Sequence, residues 1–147
     1  MKANANGFYA INGKSVIDFK DGSKAEDVCE FLEKIKEENK SDLMIILDNS
    51  KAHHSNLTIK KAEQLDSILI FLPSYSPDLN PIEFIWKSIK KDVSKEFIES
   101  VTQLRDLIKE KFTELSKSKS FAKNWMKKFE EQIKKVVDGQ VSNKSLL

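Results

Sequence analysis

The sequence predicts an α/β fold: a mixed sheet with parallel neighbours and helices packed on its faces. Two strand-like runs flank an Asn-Gly pair, a short apolar run stands between polar segments, and amphipathic helical stretches alternate with the strands. The predicted order at the start of the chain is hairpin, helix, strand, helix, strand.

Each element has a local reason. Gly7 to Ile11 and Ser15 to Lys20 read as strands, and Asn12-Gly13 between them is a strong short hairpin signal. Ser23 with Glu26 three residues later forms a capping box, after which Val28, Phe31, Leu32 and Ile35 recur at helical spacing up to Asn39. Leu43 to Leu47 is too short and too continuously apolar for a helix, so it reads as a strand buried on both faces, delivering Asp48 at its C-terminal end. A helix from about Ser55 to Leu65 carries Leu57, Lys61, Ala62 and Leu65 along one side, and the strand Ile68 to Leu72 follows. The loop PSYSPDLN then breaks the alternation. Asn80 suits an N-cap and Pro81 the first helical position, while Ile82, Ile85, Trp86, Ile89 and Val93 form a core-facing stripe. Two more amphipathic helices are predicted over about Val101 to Leu115 and Phe121 to Val137, the second with Phe121, Trp125, Phe129 and Ile133 four apart.

Composition narrows the class. A chain of 147 residues with 39% hydrophobic content supports one ordinary core. No apolar run approaches the length of a bilayer span, and MKANANGF has no apolar core of the kind a signal peptide needs, so an intracellular, cytoplasmic protein is expected. Cys29 is the single cysteine, which excludes an internal disulfide or a cysteine-based zinc site. Charge is uneven: 10 basic and 14 acidic residues up to Glu83, against 15 basic and 9 acidic from Phe84 onward. A basic C-terminal part fits a polyanion partner, although lysine-rich helix faces are more often plain solvated surface, and charge alone does not decide between them.

Two carboxylates stand out. Asp48 follows a buried strand, where a carboxylate often caps the next turn. Glu83 stands at the third helical position after Asn80, from which its side chain can reach back to the cap residue's N–H. Against these local roles stands their shared position. Ligands of open α/β sheets bind beyond the carboxyl ends of the strands, and Asp48 and Glu83 follow successive strands on that side. Magnesium is commonly held by one or two carboxylates together with substrate phosphate oxygens, and two such ions serve phosphodiester chemistry.

The stretch LMIILDNSKAHHS followed by FLPSYSPDLNPIEFIWKSIKKDV resembles the second half of a DDE transposase catalytic domain, of the Tc/mariner-like superfamily with its prokaryotic insertion-sequence relatives. The resemblance covers roughly Gly7 to Leu115 and implies a ribonuclease H-like fold. It makes Asp48 and Glu83, with 34 residues between them, the second and third members of an acidic triad holding magnesium or manganese. Asn49, His53, Pro73, Tyr75, Ser76, Pro77, Asn80, Pro81, Trp86 and Lys90 fit the same pattern, with Asn49, His53 and Asn80 as neighbours of the site. His54 reads as the exposed neighbour of His53. Ser74 stands where a second proline is common.

One departure bears on activity. The family's first catalytic Asp lies on a strand upstream of the hairpin, whereas MKANAN holds no carboxylate, and Asp18 and Asp21 fall where the family places no ligand. The helix-turn-helix region that such transposases use to read transposon ends is also absent from this sequence. The expected organisation is a catalytic domain truncated at its N-terminus over residues 1–115 and a basic helical tail over 116–147. Two functions follow. One is a metal-dependent DNA endonuclease and strand-transfer half, inactive alone. The other is a non-catalytic module that binds DNA or another transposase chain. A companion N-terminal chain or self-association is the expected partner besides DNA. A doubly wound phosphoryl-transfer domain using Asp48 ranks below both, because no Gly-rich phosphate loop is present.

Overall fold

In the computed structural model the chain forms β1 (Ala5–Phe8), β2 (Val16–Phe19), α1 (Ala25–Glu38), β3 (Leu43–Leu47), α2 (Asn56–Gln64), β4 (Ser67–Phe71), α3 (Pro81–Val93), α4 (Val101–Ser116) and α5 (Ser120–Ser142). The structure describes residues 2–74 and 79–142. Tyr75, Ser76 and Pro77, singled out in the loop, lie outside the described residues, as do the side chains of Phe129 and Ile133.

The expected α/β class holds, with a difference in the sheet. β1 pairs antiparallel with β2, and β3 pairs parallel with β4, as two separate two-stranded ribbons. The hairpin alternates at period two, so each side of it feeds a different core. Phe8 and Val16 pack with Phe31, Leu32, Ile35, Ile45 and Ala62 beneath α1 and α2. Tyr9 and Ile17 pack on the other side with Ile85, Ile89, Phe112 and Trp86 of α3 and α4. Ile85 is fully buried, and the Trp86 ring stacks on Phe112 at 5.4 Å between centroids. The stripe expected on α3 is therefore the one that packs.

The hairpin departs from the two-residue turn expected at Asn12-Gly13. The first strand ends at Phe8, and neither Asn12 nor Gly13 has the positive φ that the tight Asn-Gly turn requires. Tertiary contacts take the loop instead. Buried Asn39 accepts the Lys14 N–H at 2.8 Å and donates to the Lys14 carbonyl at 3.0 Å. Tyr9 Oη donates to the Ser118 carbonyl at 2.6 Å, and Lys119 Nζ donates to the Ala10 carbonyl at 2.9 Å. These bonds outweigh a local turn preference by satisfying polar groups that burial would otherwise leave costly.

Three smaller expectations shift for similar reasons. α1 begins one residue later than the Ser23/Glu26 box implies, with Asp27 accepting the Lys24 N–H at 3.0 Å. On α2 the buried residues are Thr58 and Ala62, while Leu57 is exposed; Ser55 caps the helix by accepting the Thr58 N–H at 3.2 Å. β3 is buried on one face only: Ile45 and Leu47 are in the core, whereas Met44 and its partner Ile68 on β4 are each 62% exposed. Among the described residues no helix is long and apolar enough to cross a membrane.

The contact between the hairpin and α3 is close at Gly7. A Cβ added there would lie 2.5 Å from an edge carbon of Trp86 and 2.9 Å from Ile82 Cδ1. Trp86 is backed by Phe112 and has little room to yield. Gly7→Ala is therefore expected to lower stability by about 1–3 kcal/mol through overpacking. Urea denaturation would show this as a lower midpoint at unchanged slope, and a midpoint equal to that of the parent chain would mean the seam is looser than described.

Candidate active site

Asp48 leaves β3 at its C-terminal end because that strand is held on its other side by a parallel ladder running to Leu47, whose carbonyl accepts the Leu72 N–H at 2.8 Å. Its side chain is fixed at one oxygen. Oδ1 accepts the Ser50 N–H at 3.0 Å and lies 2.7 Å from His53 Nδ1, which is also 3.2 Å from the Asp48 carbonyl oxygen. Oδ2 has no partner among the described residues, and the carboxylate is 57% exposed. Two donors on one oxygen thus orient the other outward.

Glu83 is carried by the first turn of α3. Its backbone N–H donates to the Asn80 carbonyl at 3.0 Å, but the Asn80 side chain makes no cap hydrogen bond and Glu83 does not complete a capping box. The Glu83 carboxylate is exposed and makes no hydrogen bond or ion pair with any described residue, Lys87 one turn on included. Of the two roles open to Glu83 from the sequence, the capping role is not the one adopted.

Asp48, Glu83, His53 and Asn80 all line one cleft of about 540 Å³ between the two ribbons. Asn49 stands at its side. It donates from Nδ2 to Ser74 Oγ at 2.9 Å, tying the segment after β3 to the segment after β4. His54 is not the exposed neighbour expected. It is half-buried, its ring lies edge-on to Phe71 at 4.7 Å between centroids, and its Nε2 is buried with no hydrogen-bond partner among the described residues.

Asp18 and Asp21 do not join the cleft. Asp18 is engaged by Lys20 and Lys34, each at 3.3 Å. Burial pushes its carboxyl upward, but the Phe19 backbone N–H and the two lysines outweigh this and hold it below the ordinary carboxylate range. No group of three metal-ligating side chains forms among the described residues.

Two contributors were not singled out from the sequence. Trp125 was read as part of a core stripe, yet its indole N–H donates to the Leu79 carbonyl and pins the chain just ahead of α3, and its side chain lines the cleft. Ser50 acts through its backbone N–H, which no side-chain pattern announces.

These features define a two-carboxylate cleft on an α/β scaffold, and residues 2–105 match the DDE superfamily endonuclease family. The chain belongs to that family. Among solved structures its fold is similar to the Mos1 strand transfer complex, at a TM-score of 0.63 and 16% identity, covering 83% of this chain and 37% of that one. It is also similar to the catalytic domain of Mos1 mariner transposase, at a TM-score of 0.60 and 13% identity over 84% of this chain and 72% of that one. A third likeness is to the Mos1 transposase catalytic domain with raltegravir and Mg, at a TM-score of 0.58 and 13% identity over 74% and 67%. These likenesses show a shared ribonuclease H-like fold. The chain thus spans little more than a third of the transposase chain in the strand transfer complex. No curated protein sequence matches it.

Because Glu83 takes no part in capping, Glu83→Ala is expected to change the unfolding free energy by no more than about 0.5 kcal/mol. Loss of a true reciprocal cap costs about 1 kcal/mol. Paired urea titrations of the two proteins separate these values, and a loss of the larger size would return Glu83 to a structural role.

Proposed function

We propose that this chain is part of the catalytic domain of a DNA transposase, in which Asp48 and Glu83 hold a divalent cation, magnesium or manganese, at the scissile phosphodiester. The observation that carries this reading is that both carboxylates line one cleft while each keeps oxygen atoms uncommitted to the fold. Hard carboxylate oxygens with no cysteine nearby suit these cations rather than zinc.

A bound ion of this kind would activate the attacking oxygen and stabilise charge at the leaving oxygen of the phosphodiester. The chain's own residues supply the setting. His53 and the Ser50 N–H hold Asp48 Oδ1 so that Oδ2 faces outward. Trp125 and Asn80 set the start of α3, and with it the position of Glu83. The reaction would be hydrolysis of a DNA strand, followed by attack of the liberated 3′ hydroxyl on a second phosphodiester. The excess of basic residues after Glu83 supports a nucleic-acid backbone as partner, since lysine and arginine neutralise phosphates without reading sequence.

Two carboxylates are fewer than a pair of ions needs, and the described residues supply no third. The third carboxylate is left to a segment outside the described residues. The non-catalytic reading, a DNA-binding or transposase-binding module, draws on the same deficit.

The 147-residue chain alone is expected to nick supercoiled DNA at background level with Mg²⁺ or Mn²⁺. Adding a separately expressed upstream segment that carries a strand ending in Asp should restore metal-dependent nicking. Asp48→Asn or Glu83→Gln should then reduce it by roughly a hundredfold or more, as misplaced catalytic groups do. Robust nicking by the chain alone that survives both substitutions would defeat the assignment, and no nicking under any combination would favour the non-catalytic module.

A further inference from the structure

One residue of α3 breaks the pattern of its own helix. Ile82, Ile85, Trp86, Ile89 and Val93 pack inward, and the outward face carries exposed Lys87 and Lys91. Phe84 shares that outward face with both lysines, at the spacing that makes side chains neighbours on a helix surface, and it is 39% exposed. Standing there, the ring gives up one of the largest apolar burials open to any side chain. Single exposed apolar residues are common on folded proteins, so exposure alone carries nothing.

The surroundings of Phe84 set it apart. It follows Glu83, which lines the cleft, and is not itself among the lining residues, so the ring stands just outside the rim beside the candidate cation site. Lys128 of α5 brings its Nζ over the ring, 5.4 Å from the centroid. That part of α5 is fixed against the start of α3 by Trp125, whose indole N–H donates to the Leu79 carbonyl. Lys87, Lys127 and Lys128 are all exposed, and none forms an ion pair with a described residue. Glu130 and Glu131, the next acidic residues along α5, form none with them either.

An exposed ring among unneutralised ammonium groups suits one kind of ligand. A nucleobase is a flat π-surface joined to its phosphate through a single sugar. A strand with its phosphate at Glu83 therefore has a base within reach of the next side chain on the helix. Proteins that hold single strands without reading sequence combine these two contacts, bases stacked on aromatic rings and cations along the backbone. A base inside an intact duplex has both faces covered by its neighbours and offers none to a side chain.

We propose that Phe84 is a stacking platform for an unpaired base of the DNA strand held at Glu83, with Lys127 and Lys128 neutralising the phosphates beside that base. The inference deepens the reading of the cleft as a DNA site and rests on it. Every base has a π-face, so the contact selects opened DNA and no particular sequence. The competing role for the ring is structural, a cation–π contact through which Lys128 ties α5 to α3. Loss of a structural tie affects single-stranded and duplex DNA alike, and this separates the two roles.

The test measures binding of the full 147-residue chain to a fluorescein-labelled single strand of about twelve nucleotides, and to the duplex of the same sequence, by anisotropy over a salt series. The parent chain is expected to bind both. Phe84→Leu keeps an apolar side chain but removes the π-face. It should weaken single-strand binding at least about fivefold, the low end for a lost base–aromatic stack, and duplex binding less than about twofold. Phe84→Trp should keep the single-strand affinity of the parent. Neither substitution should change the salt slope, because stacking releases no counterions, whereas Lys127→Gln and Lys128→Gln should each lower its magnitude on the single strand by about 0.7. A slope that the lysine variants leave unchanged would remove both lysines from the platform. Equal loss on the two DNAs with Phe84→Leu, or no loss on the single strand, would overturn the stacking role while leaving DNA binding in place. A parent chain that binds neither DNA would overturn it together with the DNA reading of the cleft.

Discussion

The seam between the hairpin and α3 sets everything downstream of it. Gly7 lets the Trp86 and Ile82 side chains approach the β1 backbone, and Phe112 backs Trp86 from α4. This close packing fixes where α3 begins. The indole of Trp125 holds the carbonyl of Leu79 just before that start, so two aromatic residues, Trp86 and Trp125, position Glu83. On the other wall Asp48 depends on a different constraint, the parallel ladder of β3 with β4, which ends one residue before it. The candidate site is the place where the end of the β3–β4 ladder, followed by Asp48, and the first turn of α3, carrying Glu83, meet one cleft.

That arrangement explains why the site is poised and incomplete at once. The hairpin contributes to both apolar cores, and the β3–β4 ribbon shares the first of them beneath α1 and α2. Among the described residues no strand pairs with the facing edges of β1 and β3. Unpaired edges invite pairing with other chains, and natural proteins usually shorten, charge or cover them.

Much of this was legible in the sequence. The α3 stripe of Ile82, Ile85, Trp86, Ile89 and Val93 declared itself by helical spacing, and the motif around Asp48 and Glu83 carried the family. The rest depended on contacts between distant residues. Asn-Gly announced a tight turn, but Asn39 and the α4–α5 connection captured the loop, and no local pattern encodes a partner some 25 residues away. Leu43 to Leu47 read as a strand buried on both faces because five apolar residues look alike, whereas Met44 is open on the face that no helix covers. Whether Glu83 caps α3 could not be decided from Asn-x-x-Glu, since the pattern permits the cap and only the placement of Asn80 and Glu83 shows it unmade.

The central claim is that Asp48 and Glu83 share one cation, and Mn²⁺ titration followed by NMR tests it most directly. Paramagnetic broadening should remove the Asp48 and Glu83 signals together at the same Mn²⁺ concentration, ahead of the other acidic residues, and Asp48→Asn should weaken the effect at Glu83 as well. Broadening that reaches one carboxylate and spares the other, or that centres on the acidic surface of α1, would contradict a shared site.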